Sequence, residues 1–306
     1  MKIFFGAIFT LFLFLSLQTQ TGETEKPHIS FSFDDGSTKH ILSHSCADWN
    51  SMIRKQLKDN NIQAVWFVAG KSVDNDKGRE LLQKWNDDGH IIANHTYNHF
   101  NYNDSLITCK AYSKDIQKCD SLISRYKNYR KIVRFPYLNG GNTISKRDSL
   151  NDFLHQNNYK QGWVTIDNAE WYINMRLIRR LKENPDADIS RYRDYYVNHV
   201  FKMAQHYNKL STQINRRQIK HTLLLHFNLT SALFLNDLIE KFRNEGWVID
   251  NYSDAVASPI YSEHPIGIPA EQSLIWMQAK EIGGFELNYS EENSRYQKAK
   301  MDKLGL

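Results

Sequence analysis

Ile29-Ser30-Phe31-Ser32-Phe33-Asp34-Asp35-Gly36 decides how the rest of the chain is read. Five residues of β-forming character run into two adjacent carboxylates and a glycine, so a strand gives way to a loop at Asp34-Asp35. The pattern recurs along the chain. Strand-like runs lie at 29–33, 63–68, 90–93, 131–135, 162–166, 221–227 and 247–250. Helical patterns fall between them at about 47–59, 76–88, 111–126, 145–157, within 172–215, and at 232–245, where Gly246 gives a stop. Strands alternating with helices imply an α/β fold with a parallel sheet, closed or nearly closed into a barrel. Asp34-Asp35, Asn94-His95, Arg134, Asp167 and His226 all fall at the carboxyl ends of these strands. In such barrels the loops at that end build the active site.

His95 and His99 form an H-x-x-x-H pair within Asn94-His95-Thr96-Tyr97-Asn98-His99. Two histidines and one carboxylate from the Asp34-Asp35 pair make a three-ligand set that leaves a divalent metal an open position for water. The residues therefore point to a metallohydrolase. Taken singly, each has a plainer explanation. His226 follows the apolar run Leu223-Leu224-Leu225 and could be a satisfied core histidine, Arg134 could end a strand in a surface ion pair, and Trp171 could be core packing. His90 reads as structural, and His28, His40 and His44 as polar loop residues. Tyr192, Tyr195 and Tyr196 fit either a glycan platform or a helix-packing stripe.

A chain of 306 residues, 41% hydrophobic and 24% charged, can bury a substantial core. The net charge of +5, or +4 without Lys2, is mild and no Lys/Arg block is dense, which argues against nucleic acid as a partner. Met1-Lys2 followed by the apolar run Ile3 to Leu17 and polar Gln18 to Gly22 has the layout of a secretory signal peptide over 1–22, or of a retained anchor. Export to a periplasm, a cell surface or the extracellular space is the expectation. Cys46, Cys109 and Cys119 are an odd number without metal-ligand spacing, and read as buried or free thiols. Ten helical residues rise about 15 Å, too far for a Cys109–Cys119 disulfide. The 172–220 segment is longer than a crossover needs and reads as a helical insertion. Residues 257–306 read as a peripheral C-terminal extension. The triplets Asn94-His95-Thr96 and Asn228-Leu229-Thr230 match a glycosylation pattern, but the first lies inside the proposed metal motif, so both are treated as chance.

Five segments in order carry a resemblance: Phe33-Asp34-Asp35-Gly36, His95-Thr96-Tyr97-Asn98-His99, Arg134-Phe135-Pro136-Tyr137, Asp167-Asn168-Ala169-Glu170-Trp171 and Leu224-Leu225-His226. Residues 27–256 thereby resemble the catalytic domain of the polysaccharide deacetylases, carbohydrate esterase family 4 (the NodB-homology domain). The resemblance implies a distorted (β/α) barrel of about seven parallel strands with outer helices. It also implies metal-dependent removal of acetyl groups from a glycan. Asp35, His95 and His99 would hold a divalent metal, zinc first, with cobalt or nickel as alternatives. Asp34 would be the general base, Arg134 would hold it in place, and His226 would be the general acid. The backbone N–H of Tyr137 would stabilise the oxyanion. Tyr137, Trp171 and Leu224 would line the substrate site. The family's fourth motif is D-x-x-D-W, whereas Glu170 stands here for the second Asp, which leaves Asp167 and Glu170 as alternatives for the carboxylate that orients His226.

The substrate these residues suggest is an acetylated polysaccharide or oligosaccharide, N-acetylglucosamine units in peptidoglycan or chitin-like chains first. O-acetylated xylan or another exopolysaccharide is the alternative, because amides and esters use the same water, base and acid. A catalytically silent carbohydrate-binding protein on the same fold is the reading from another class, and retention of Asp34, Asp35, His95, His99 and His226 counts against it. The sequence implies no specific protein partner and leaves the oligomeric state open.

Overall fold

The structure, a computed structural model, describes residues 25–287 and 294–306. The expected leader over 1–22 lies outside the described residues. The elements in chain order are β1 His28–Asp35, α1 Cys46–Asp59, β2 Val65–Val68, α2 Asp76–Asp87, β3 Ile91–Asn94, α3 Cys109–Ile123, β4 Tyr129–Val133, α4 Ile144–Gln156, β5 Lys160–Gln161, α5 Glu170–Glu183, α6 Ser190–Asn215, β6 Lys220–His226, α7 Leu229–Asn244, β7 Val248–Ile249, α8 Tyr252–Ala255, α9 Leu274–Ile282 and α10 Ser294–Leu304. All strand pairs are parallel, in the order β5-β4-β3-β2-β1-β6 with β7 pairing β1. This is the α/β barrel with outer helices that the alternation predicts.

The period-two pattern of β1 sorts its two faces. Ile29, Phe31 and Phe33 are fully buried with Trp49, Trp85 and the helix-facing core, together with Trp66 and Val68 of β2. Ser30, Ser32 and Asp34 take the other face. Phe67, Val65, Ile91 and Ala93 form a separate small cluster that Tyr252 of α8 joins. Small serines on β1 leave room beside this cluster for a guanidinium. Arg134 occupies it, 1% exposed, with its Cζ 3.9 Å from the centre of the Phe67 ring.

The strand expected at 162–166 is instead a bend, and the bend closes the barrel. β5 spans only Lys160–Gln161 and pairs with β4, after which the chain crosses to β6 through the Ile166–Leu223 bridge. Ile166 N–H donates to Thr222 O at 3.1 Å and Leu224 N–H donates to Ile166 O at 3.0 Å. Gly162 sits at the turning point. An added Cβ there would lie 2.5 Å from Phe67 Cε1, so the interior ring admits only glycine.

The segment 172–220 folds mainly as α5 and α6, packed on the barrel. Tyr192, Tyr195 and Tyr196 are 5%, 9% and 0% exposed, which makes them the packing stripe rather than a platform. The segment from 257 onward is not peripheral. Ile260, Leu274, Ile275, Ala279, Met301 and Leu306 all join the main core cluster. The three cysteines are free, Cys46 and Cys119 buried. Asn94 and Asn228 of the two glycosylation-like triplets are buried as well. Among the described residues no helix is long and apolar enough to cross a membrane.

Candidate active site

The residues of the five motifs converge on the carboxyl ends of the strands. A cavity of about 650 Å³ is lined by Asp34, Asp35, His95, His99, Tyr137, Asp167, Trp171, Leu224 and His226. Arg134 and Glu170 stand behind this lining, buried against Asp34 and His226.

Asp34 and Asp35 leave β1 in opposite senses. Asp34 is 3% exposed, and its Oδ1 accepts from Arg134 Nη1 at 2.6 Å. The same Nη1 donates to Ser32 Oγ at 2.8 Å, and Arg134 Nε donates to Gly162 O at 2.9 Å. The guanidinium is thereby fixed by β1 and by the closing bend, and it holds the carboxylate it faces in one orientation. Asp35 turns away at φ 76°, its carbonyl accepting the Trp66 indole N–H at 2.7 Å. Gly36 follows at φ 146°, where a Cβ would come within 2.9 Å of the Trp66 ring. A glycine is required at this step.

His95 Nδ1 donates to Arg134 O at 2.9 Å, which leaves Nε2 with its lone pair facing the acids. That Nε2 lies 3.7 Å from Asp35 Oδ1 and 3.7 Å from Asp34 Oδ2, and His99 Nε2 lies 3.1 Å from Asp35 Oδ1. Donor atoms of Asp35, His95 and His99 all lie within 4.8 Å of one another. Tetrahedral zinc with bonds near 2.0–2.1 Å needs donors about 3.3 Å apart, so the three residues fit a divalent ion. Burial draws the His95 pKa down to about 4, the neutral state a metal ligand requires. The loop between the two histidines is braced from α3. Buried Asp115 accepts from the backbone N–H groups of Tyr97 and Asn98 at 3.0 and 2.8 Å. Asn94 Oδ1 accepts from Thr96 N–H at 2.8 Å.

The structure decides between the two carboxylates near His226. Glu170, fully buried at the start of α5, accepts from His226 Nδ1 and from the His226 backbone N–H, both at 2.7 Å. Its other oxygen accepts from Asn228 Nδ2 at 2.8 Å and Thr230 Oγ1 at 3.3 Å. Burial opposes charge on His226, but the hydrogen bond and charge of Glu170, with Asp35 and Asp34 beyond it, hold the imidazolium up to about 10. Asp167 does not reach the ring. Its Oδ1 accepts from Asn168 N–H at 2.7 Å, and burial pushes its pKa up to about 6 against the pull of that bond and of His226. Glu170, the first residue of α5, reaches His226 at the end of β6, whereas Asp167 in the loop before the helix does not. Helix α6 contributes here too, because His199 accepts from Ala169 N–H at 3.1 Å, immediately before Glu170.

Backbone strain concentrates at this end of the barrel. Asp35, Thr96, His99, Tyr137, Leu138 and Gln272 all have positive φ without being glycine, and all but Thr96 line the cavity. Tyr137 follows Pro136 at φ 59°, its ring 62% exposed and 4.9 Å from that of His99. Trp171 is 44% exposed. Asn168, Leu138, Gln272, Trp276 and Leu287 also line the cavity and were not singled out from the sequence. Asn168 sits inside the fourth motif, and Leu138 directly follows the third. Gln272, Trp276 and Leu287 carry no sequence signal, because an aromatic within Leu274-Ile275-Trp276-Met277 reads as core.

Comparison with known proteins agrees with this geometry. Residues 21–155 match the family model described as polysaccharide deacetylase. A peptidoglycan-N-acetylglucosamine deacetylase of Bacillus cereus is 27% identical over 118 residues, 38% of this chain and 38% of that protein. The match thus spans well under half the length of the curated relative. Among solved structures, the peptidoglycan deacetylase PdaC from Bacillus subtilis superposes with a TM-score of 0.51 at 21% identity, covering 76% of this chain and 91% of that one. BA3943 from Bacillus anthracis, described as a carbohydrate esterase family 4 pseudoenzyme, superposes with a TM-score of 0.50 at 15% identity, covering 76% of this chain and 66% of that one. At these identities the superpositions speak for the barrel alone. The segment that matches the polysaccharide deacetylase model carries the first two motifs and Arg134, and the remaining motifs close the same cavity.

Proposed function

We propose that this chain is a metal-dependent hydrolase that removes acetyl groups from a glycan, N-deacetylating N-acetylglucosamine units of peptidoglycan or chitin-like polymers. One observation carries the reading: an Arg134-held carboxylate, a three-donor cluster and a Glu170–His226 pair share a single cavity. A divalent cation on Asp35, His95 and His99, zinc first with cobalt or nickel as alternatives, would polarise the acetyl carbonyl and the attacking water. Asp34 takes the proton from that water, its carboxylate positioned by Arg134 through Oδ1. The backbone N–H of Tyr137, presented by the strained Pro136-Tyr137 turn, donates to the oxygen on which charge develops. His226 then passes its Nε2 proton to the leaving nitrogen while Glu170 keeps Nδ1 protonated. Trp171, Tyr137 and Leu224 flank the sugar that carries the acetyl group.

The name of the Bacillus cereus relative favours the amide over an O-acetyl ester. The apolar run Ile3 to Leu17 supports export, which puts the chain where such polymers are found. The test is acetate release by the purified protein after chelation, with and without added zinc, on chitooligosaccharides, peptidoglycan and acetylated xylan. Metal-dependent release from the N-acetylated polymers is expected. Stoichiometric metal binding without release from any of them would sink the proposal and bring the silent binding protein forward.

A further inference from the structure

The C-terminal segment, outside the residues that match the family model, builds part of the cavity wall. It crosses from the loop after β4 to the closing bend. Gly140 N–H donates to Ala270 O at 2.7 Å, Ala270 N–H donates to Gly141 O at 2.8 Å, and Leu274 N–H donates to Val164 O at 2.7 Å. These anchors lie a few residues from Tyr137 and Leu138 on one side and from Asp167 on the other, so the strap spans two loops of the site. Gln272 makes the turn into α9 at φ 67°, and Ser273 caps the helix by accepting from Trp276 N–H at 3.2 Å.

Trp276 interrupts the buried run at the start of this helix. Leu274, Ile275, Met277 and Ala279 are buried, whereas Trp276 stays half-buried and faces the cavity with Gln272 and Leu287. The indole N–H donates to Leu287 O at 3.3 Å and Lys280 Nζ lies 4.9 Å from the ring, so two neighbours fix its tilt. An oriented aromatic face in a cavity that also presents carboxylates and histidines suits a pyranose, which has apolar C–H faces and polar edges. Trp171 and Tyr137 already flank the three-donor cluster, and a cavity of about 650 Å³ accommodates more than a monosaccharide.

We propose that Trp276 is the platform for a second sugar residue, adjacent to the one that carries the acetyl group, and sets a preference for oligomers over the monosaccharide. The inference rests on the deacetylase reading above. Its test measures kcat/KM for acetate release from N-acetylglucosamine and its β-linked di-, tri- and tetramers, with wild type, Trp276→Ala and Trp276→Phe. Wild type should gain with length. Trp276→Ala should lose about tenfold on the oligomers, from the apolar area a sugar face covers on an indole. It should lose less than about twofold on the monomer, a split that general destabilisation would not produce. Trp276→Phe should restore most of the loss. Equal losses on monomer and oligomers, or a length gain that survives in Trp276→Ala, would overturn the proposal. If wild type released acetate from no member of the series and from neither peptidoglycan nor acetylated xylan, the deacetylase reading would fail. Calorimetric titration of the tetramer would then read the platform alone, with about tenfold weaker binding to Trp276→Ala expected and an unchanged Kd refuting it.

Discussion

Replacing Glu170 by Gln tests the proton-handling half of the site. The substitution keeps the shape but removes the charge that faces His226 at 2.7 Å. In the wild type, burial works against the imidazolium and Glu170 outweighs it, holding the pKa up to about 10. Without that charge burial prevails, and the pKa falls to the ordinary value near 6.5 or below. At pH 8 the protonated fraction then drops from about 99% to at most ~3%, which removes the general acid by at least about thirtyfold. The amide also donates where the carboxylate accepted, meeting the N–H groups of His226 or Asn228. That mismatch costs about 1–3 kcal/mol and misorients the ring, so kcat at pH 8 should fall about a hundredfold in all. The folded-state pKa lies above the unfolded value, so the stabilisation from the pair is complete below pH 6.5 and disappears as pH rises through 10. The difference in Tm between wild type and variant should accordingly be largest near pH 6. The assay is the pH profile of kcat for acetate release, with metal content measured alongside. An alkaline limb that stays in place in Glu170→Gln would refute the assignment of His226 as acid, and a limb that moves only in Asp167→Asn would show that the wrong carboxylate was chosen.

The other expectations concern the base, the metal and the barrel. Asp34→Asn should reduce turnover by at least about a thousandfold while metal content by elemental analysis stays near one equivalent, because Asp34 is outside the three-donor set. Near-wild-type turnover would remove Asp34 from the role of base. His95→Ala should weaken zinc binding at least about a hundredfold in a competition titration, since it deletes a donor whose tautomer Arg134 O fixes. Arg134→Ala leaves a buried carboxylate unpaired and should lower stability by about 3–5 kcal/mol in denaturant unfolding. Gly162→Ala drives a methyl into Phe67 and should cost about 1–3 kcal/mol, and a loss below ~0.5 kcal/mol would mean the bend is looser than the 2.5 Å approach implies.

What the sequence made legible follows from where its signals are local. Apolar runs that end in Asp34-Asp35, Asn94-His95, Arg134 and His226 mark both a strand and its functional end, because one short segment carries both properties. The fifth strand was misplaced for the opposite reason. Gly162-Trp163-Val164-Thr165-Ile166 has strand composition, but its hydrogen-bond partners lie on two different strands, β4 before the glycine and β6 after it. No pattern within five residues records that change of partner. The Asp167–Glu170 alternative stayed open because the answer depends on the pairing of α5 with β6, a contact 56 residues apart in the chain. The C-terminal segment misled through composition. Its charged tail suggests a peripheral piece, while the short apolar run Leu274-Ile275 and the isolated Met301 join the main core.

The same distinction explains why the site tolerates strain. Asp35, His99, Tyr137, Leu138 and Gln272 hold left-handed backbone that costs about 1–3 kcal/mol each, and none is glycine. Each is held by groups remote in sequence. Trp66 fixes the Asp35 carbonyl, Asp115 gathers the backbone between the histidines, and the strap bonds to Gly140 and Gly141 beside the Tyr137 turn. These braces are buried or backbone bonds, so they keep their strength where surface pairs would be screened. Local sequence can name the strained residues as unusual, but only the assembled barrel supplies what keeps them in place. A variant that weakens a brace should therefore lose activity before it loses the fold, because the helix-facing core of β1, α1 and α7 does not depend on these loops.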